Sequence, residues 1–472
     1  MTRFKRKLFG AGIARFISHV ATLFVLLIST SANAAIDGVS ASAGIDLSAS
    51  EGYISIADGG SVYSWGYSDG GSMQLPGPTL IVSVDQTFDV RLTNNLPAAA
   101  GNVSIVFPGL TVIATSGGEQ GELTQEAPTG GTVTYTVRAD EPGTYQYHSG
   151  TQPDLQVEMG LYGALIVRPT ETTTCSTSTI GGKAYDHPDA CFDREHLFLL
   201  SEVDIDIHQA AEQQVGGAGP IILPAGEYHS EYWLINGRAG PDTLAAPGRA
   251  LLPSQPYNII PRMHPGERLL LRLVGAGREM HPFHTHGNHV RLLARDGRLL
   301  LSDTGAPPTN TDPLAGPLLF TVPTIPGGTV DAIFEWTGRD LGWDMYGTTD
   351  TNPHICDAAG TDTDGYYTVG VSRDPDAGNF AANYGEYCAD HNEPIPVTLP
   401  SLSSLAFGGF YSGSPFLGAL GSLPPGEGGL NPNAGFTYMW HSHNERELVN
   451  NDVFPGGMMT MLIIEAPSVP ID

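Results

Sequence analysis

A chain of 472 residues is long enough for two or three domains with real cores. Its net charge of −28 repels nucleic acid and anionic membrane surfaces, so neither is expected as a partner. The same acidity attracts cations, among them metal ions and amines, and also suits solubility in an exported protein.

The chain opens on Arg3, Lys5, Arg6 and Lys7, then an apolar run at 23–28, then Ala32-Asn33-Ala34. This order reads as a signal peptide over residues 1–34, which places the mature protein in the periplasm or outside the cell. Arg15, Ser18 and His19 interrupt the apolar stretch, against a span of about 20 residues. No later segment is long and apolar enough to cross a bilayer, so no membrane span is expected after processing.

Beyond residue 34, glycine and proline abound and long helical periodicity is scarce. Short apolar, β-branched runs recur between turn residues at 79–84, 132–137, 164–167, 269–274 and 460–464. This pattern predicts an all-β chain of antiparallel sandwiches. One sandwich is expected over 36–170, a linker over 171–191 and a second sandwich over 192–468. An irregular insertion at about 339–432 interrupts the second. Within it, residues 401–422 are rich in Gly, Ser, Leu and Phe without a clear period, as in a lid, a packing arm or an oligomer contact.

Export makes disulfides plausible for the four cysteines. Proximity pairs Cys175 with Cys191 and Cys356 with Cys388. Asp357, Asp362, Asp364 and Gly365 hint at calcium but lack the spacing and terminal Glu of an EF-hand loop, so a solvated acidic loop is expected. Met458, Met459 and Met461 could bind Cu(I), but strand alternation splits them between faces, which favours core packing.

The most informative stretch is His281-Pro-Phe-His284-Thr-His286-Gly287, with His441-Ser442-His443 far downstream. In a strand, residues i and i+2 share a face, so each His-x-His aims two imidazoles one way. Neutral imidazole suits copper, zinc, iron and nickel. None of the cysteines lies beside these clusters, so a thiolate from a neighbouring residue is not expected.

Further motifs carry a resemblance. They are Leu75-Pro-Gly-Pro-Thr-Leu80, Gly143-Thr-Tyr-Gln-Tyr-His148-Ser-Gly150, the run 159–167, and Ile235-Asn-Gly-Arg238 with Pro241-Asp-Thr243. With the two histidine clusters they resemble the multicopper oxidases, the laccase-like cupredoxin proteins. The resemblance implies tandem cupredoxin-like Greek-key sandwiches. It also implies a mononuclear type 1 copper held by a Cys and two His, and a trinuclear cluster held by eight His that reduces dioxygen.

This chain departs from that plan. Val106 and Pro108 stand at the two ligand positions of the first motif, and Gly150 replaces the partner of His148. Ser442 replaces the type 1 cysteine and Glu447 the second type 1 histidine. A serine hydroxyl cannot supply the soft thiolate of a blue copper site. The expected site is therefore smaller and non-blue: His284, His286, His441 and His443, with His148 from the first sandwich. It would hold one or two coppers, fewer than the usual four; zinc, manganese or iron also suit such donors. His289, Glu445 and Glu447 could add ligands or supporting partners, and His281 without its type 1 partners is expected to be structural or supporting. No catalytic residue is assigned.

The implied function is an exported copper-binding oxidoreductase acting on a small molecule or metal ion with dioxygen. The alternatives are a metal-binding protein without turnover and a metal-free cupredoxin-fold scaffold. His148 and His281 lie little more than one domain apart, as in two-domain relatives, and this implies a homotrimer.

Overall fold

The computed structural model describes residues 36–170, 172, 174–176, 181–309, 311–346, 353–374, 376–393, 412–413, 435–465 and 469–471. The leader at 1–34 lies outside them, as does 401–422 apart from Ser412 and Gly413.

Two pairs of sheets make two β-sandwiches. In the first, a five-stranded sheet runs in the order Ser61–Ser68, Ile45–Ser55, Thr87–Asn94, Thr132–Arg138, Thr111–Gly117. It faces a four-stranded sheet of Val39–Ser40, Leu80–Ser83, Tyr162–Arg168 and Gly143–His148. Thr132–Arg138 alternates half-buried Thr with buried Val133, Tyr135 and Val137, whereas Tyr162–Arg168 is buried until its last residue. That contrast follows the alternation visible in one sequence and absent from the other. Trp65, Val90, Tyr135, Tyr147 and Val167 fill this core.

In the second sandwich, one sheet includes Tyr232–Ile235, Arg194–Val203, Arg268–Gly275, Thr329–Glu335 and Val290–Arg295. The other runs Arg262–Met263, Met459–Ile464, Phe436–Ser442, His281–Thr285, Thr321–Thr324. Phe198, Leu271, Phe283, Phe334, Trp336, Tyr438 and Trp440 pack between them. Met458 belongs to this core, as packing predicted.

The sandwiches form as expected, with most strand pairs antiparallel and some parallel. Ile45–Ser55 pairs with Thr87–Asn94 in parallel, and Arg194–Val203 with Arg268–Gly275 likewise. Chain crossings between facing sheets bring same-direction strands together, and the sequence carries no local mark of that.

A third apolar cluster joins Leu75, Tyr162 and Ala164 of the first sandwich to Leu199, Leu234 and Val274 of the second. Beside it, fully buried Arg272 donates to Glu195 at 2.9 Å and to the Thr144 hydroxyl at 3.0 Å. Thr144 donates in turn to Asp331 at 2.5 Å. Both disulfides form as spaced, Cys175–Cys191 and Cys356–Cys388. All four cysteines are thereby consumed.

Candidate metal centre

The His281–Thr285 strand pairs antiparallel with Phe436–Ser442, and His284 lies directly opposite His441. Directly opposed residues share a face of the sheet. His286 follows two residues after His284, and its carbonyl is pinned by the Trp440 indole N–H at 2.9 Å. One ligand atom each from His284, His286 and His441 falls within 4.8 Å of the other two. His443 joins the edge: its ring centroid lies 4.7 Å from that of His284 and 5.8 Å from that of His441. It is exposed, whereas His284 and His441 are buried.

The hydrogen bonds fix which nitrogens carry protons. His441 donates Nδ1–H to the Ser442 carbonyl at 2.6 Å. His286 makes the corresponding bond to the Ser412 carbonyl at 3.4 Å. Both Nε2 atoms are then lone pairs, and they face each other at 3.2 Å. Two acceptors at that distance repel unless a proton or a cation lies between them. Two imidazoles bound tetrahedrally to one ion at about 2.0 Å stand about 3.3 Å apart. His284 pairs its Nδ1 with the Thr321 hydroxyl at 2.7 Å, and its buried Nε2 has no hydrogen-bond partner. Burial, then the neighbouring imidazoles, pushes His284 down to about 3. Burial likewise lowers His441 to about 4 and lowers His286. Neutral rings with converging Nε2 lone pairs are the form that binds copper or zinc.

The other face of the same strand differs. His281, an odd number of residues from His284, points the opposite way and is fully buried. Its Nδ1 bonds Glu447 at 3.0 Å and its Nε2 bonds Glu202 at 2.9 Å. A ring between two carboxylates donates from both nitrogens and is an imidazolium. Burial pulls its pKa down, but the bonds to Glu202 and Glu447 outweigh this and hold it up at about 9. Glu202 also accepts from the backbone N–H groups of Arg278 and Glu279, and Glu447 from the Asn444 amide. Ser442, fully buried, accepts from the Asn444 N–H. With every cysteine in a disulfide, no thiolate is available to this corner.

His148 lies in Gly143–His148 of the first sandwich, half-buried, with Nδ1 bonded to the Ser149 carbonyl. It borders a separate pocket with Gln146, Arg278 and Pro326, and is not part of the three-histidine group. Val106 bridges the His148 backbone in both directions. A Cβ on Gly150 would stand 2.7 Å from a Val106 methyl, so these two positions are packed against each other. His289 stacks on Phe320 at 3.6 Å and Glu445 is exposed; neither belongs to the group. The Asp357 and Asp362 carboxylates accept from backbone N–H groups of their own turns.

Sequence reading missed Glu202 and Thr321, which orient His281 and His284. Both come from other strands, 79 and 37 residues away. No local signal marks them.

Both sandwiches have a cupredoxin-like fold. Residues 50–172 match the multicopper oxidase family. The chain is 31% identical over 115 residues to multicopper oxidase MCE of Talaromyces pinophilus, and 30% over 128 residues to copper resistance protein A of Escherichia coli. Over that segment the chain is similar to laccase-like multicopper oxidases. Those alignments cover 24% and 27% of this chain and 18% of each relative. A solved multicopper oxidase, mgLAC, aligns over 91% of this chain and 87% of its own at 18% identity, with a TM-score of 0.49.

Proposed function

We propose that this chain is an exported, copper-binding oxidoreductase with a remodelled, non-blue histidine site and no type 1 copper. The observation that carries the reading is the pair of Nε2 lone pairs of His286 and His441 at 3.2 Å, beside the unpartnered Nε2 of buried His284. Those three residues would hold the metal, with His443 at its open edge. One or two coppers is the proposed complement, and zinc or manganese would compete for the same donors. Copper there would supply one-electron redox chemistry towards dioxygen. The chain's own contribution is orientation. Thr321 and the Ser442 and Ser412 carbonyls hold the Nδ1 side of each ring, which leaves Nε2 free. Exposed His443 leaves a side on which a small phenol or a metal ion could approach.

The proposed domains are 36–170 and 192–468, with the leader at 1–34 removed on export to the periplasm or beyond. His148 sits outside the three-histidine group within one chain. In the homotrimer that two-domain relatives imply, it would serve the site of a neighbouring subunit. Sedimentation of the wild type with and without copper tests that assembly.

A second reading is favoured by the ion-paired state of His281. The corner where a laccase takes electrons from substrate is filled here by Glu202 and Glu447. The chain would then bind or carry copper without turnover. Oxygen uptake with phenols, Cu(I) and Mn(II) decides. Uptake lost in His441→Ala and retained in Glu445→Gln supports the enzyme; copper bound with no uptake supports the carrier.

A further inference from the structure

The irregular insertion carries a second group of donors, remote in sequence from the first. Asp344, His354, Glu386 and His391 each place one ligand atom within 4.8 Å of the other three. Asp344 and Glu386 are 1% exposed and His354 is 8% exposed. His354 Nε2 lies 3.2 Å from Asp344 Oδ2 and 3.9 Å from Glu386 Oε2. The rings of His354 and His391 stand 5.0 Å apart, edge to face.

Two atoms of this group are buried with no hydrogen-bond partner: Glu386 Oε1 and His391 Nε2. An unpaired buried carboxylate oxygen is costly, and such atoms are rare in folded proteins. The remaining atoms are held in place. Asp344 accepts from the Tyr346 and Asn392 N–H groups, and the Asn383 amide donates to Glu386 Oε2 at 2.6 Å. The exposed Asn392 amide places its Nδ2 3.3 Å from His391 Nδ1. With that amide turned to present its oxygen, Nδ1 donates and Nε2 becomes a lone pair.

Among the described residues neither carboxylate pairs with a lysine or an arginine. The cationic candidates paired with these two buried carboxylates among the described residues are therefore imidazoles. A dication cancels both, and two carboxylates with two imidazoles complete a four-coordinate shell. The Cys356–Cys388 disulfide supports the geometry: His354 stands two residues before Cys356, Glu386 two before Cys388 and His391 three after it. One covalent bond so ties together the two segments that carry three of the four donors.

We propose that Asp344, His354, Glu386 and His391 bind a zinc-type divalent cation that staples the insertion. The oxygen-rich donor set favours zinc or manganese over Cu(I), so this site differs in chemistry from the all-histidine group. It stands independently of the copper reading.

The test uses the full chain with His286→Ala and His441→Ala, which removes the first site, stripped by chelator and titrated with zinc. One zinc per chain is expected. Adding Glu386→Gln and His391→Asn should abolish it, with far-UV circular dichroism confirming that the sandwiches remain. Cobalt(II) in the chain with the insertion intact should give visible d–d bands of a four-coordinate nitrogen–oxygen site. This readout serves if the added variant misfolds. No bound zinc in the first protein, undiminished zinc in the second, or the weak spectrum of six-coordinate cobalt would each overturn the proposal.

Discussion

On one face of the His281–Thr285 strand, both nitrogens of the histidine meet a carboxylate. On the other face, histidine lone pairs converge and no donor meets them. His281, between Glu202 and Glu447, is a closed ionic unit. His284, His286 and His441 are neutral and open on their Nε2 side. The same backbone supports both because strand parity separates the two groups. Ser442 and Glu447 stand where the resemblance implies a thiolate and an imidazole, and Glu447 is the partner of His281 Nδ1 at 3.0 Å. Protons shared with two carboxylates occupy both nitrogens of that ring.

The comparison can be broken most directly by removing the open face. His286→Ala with His441→Ala should lower copper affinity on the order of a thousandfold, measured by competition with a chromogenic chelator, while the apo protein's melting temperature barely moves. If affinity is unchanged, copper sits elsewhere. The closed face should behave the other way. Glu447→Leu leaves the imidazolium with a single carboxylate and should cost about 3 kcal/mol in urea unfolding, with little effect on copper affinity.

The closed face also sets a pH dependence. His281 has a folded pKa of about 9 against an unfolded value near 6.5. Its contribution is fully present below about pH 6.5 and is lost as pH rises through about 9. The unfolding free energy should therefore fall by up to about 3 kcal/mol across that window, and His281→Gln should flatten the fall. An equal decline in both proteins would assign it to other groups. The smallest effect is expected at Thr321→Val. It removes one bond that orients His284 and should weaken copper about tenfold without altering stability above pH 7.

Much of this was legible in the sequence. Even spacing puts His284 and His286 together, and odd spacing sends His281 to the other face. Ser442 and Glu447 stand where the resemblance implies a cysteine and a histidine. The disulfide pairs followed from separations of 16 and 32 residues. Glu202 was not legible, because the strand Arg194–Val203 reaches His281 only through sheet packing. The parallel pairings were hidden for the same reason. Asp344, His354, Glu386 and His391 are spread over irregular chain, with no period to mark a shared face. Their one local sign was the crowding of His354, Glu386 and His391 around the second cysteine pair. His148 reads as a ligand by motif, but the fold of one chain places it beside a separate pocket and outside the three-histidine group.

The central claim is that the open face binds copper and the closed face does not. Copper analysis and the absorption spectrum of the copper-loaded wild-type chain test it together, with His286→Ala/His441→Ala as the reference. The account predicts one or two coppers that depend on His286 and His441, and no intense blue charge-transfer band. Four coppers with a blue band, or no copper above the level in the variant, would contradict it.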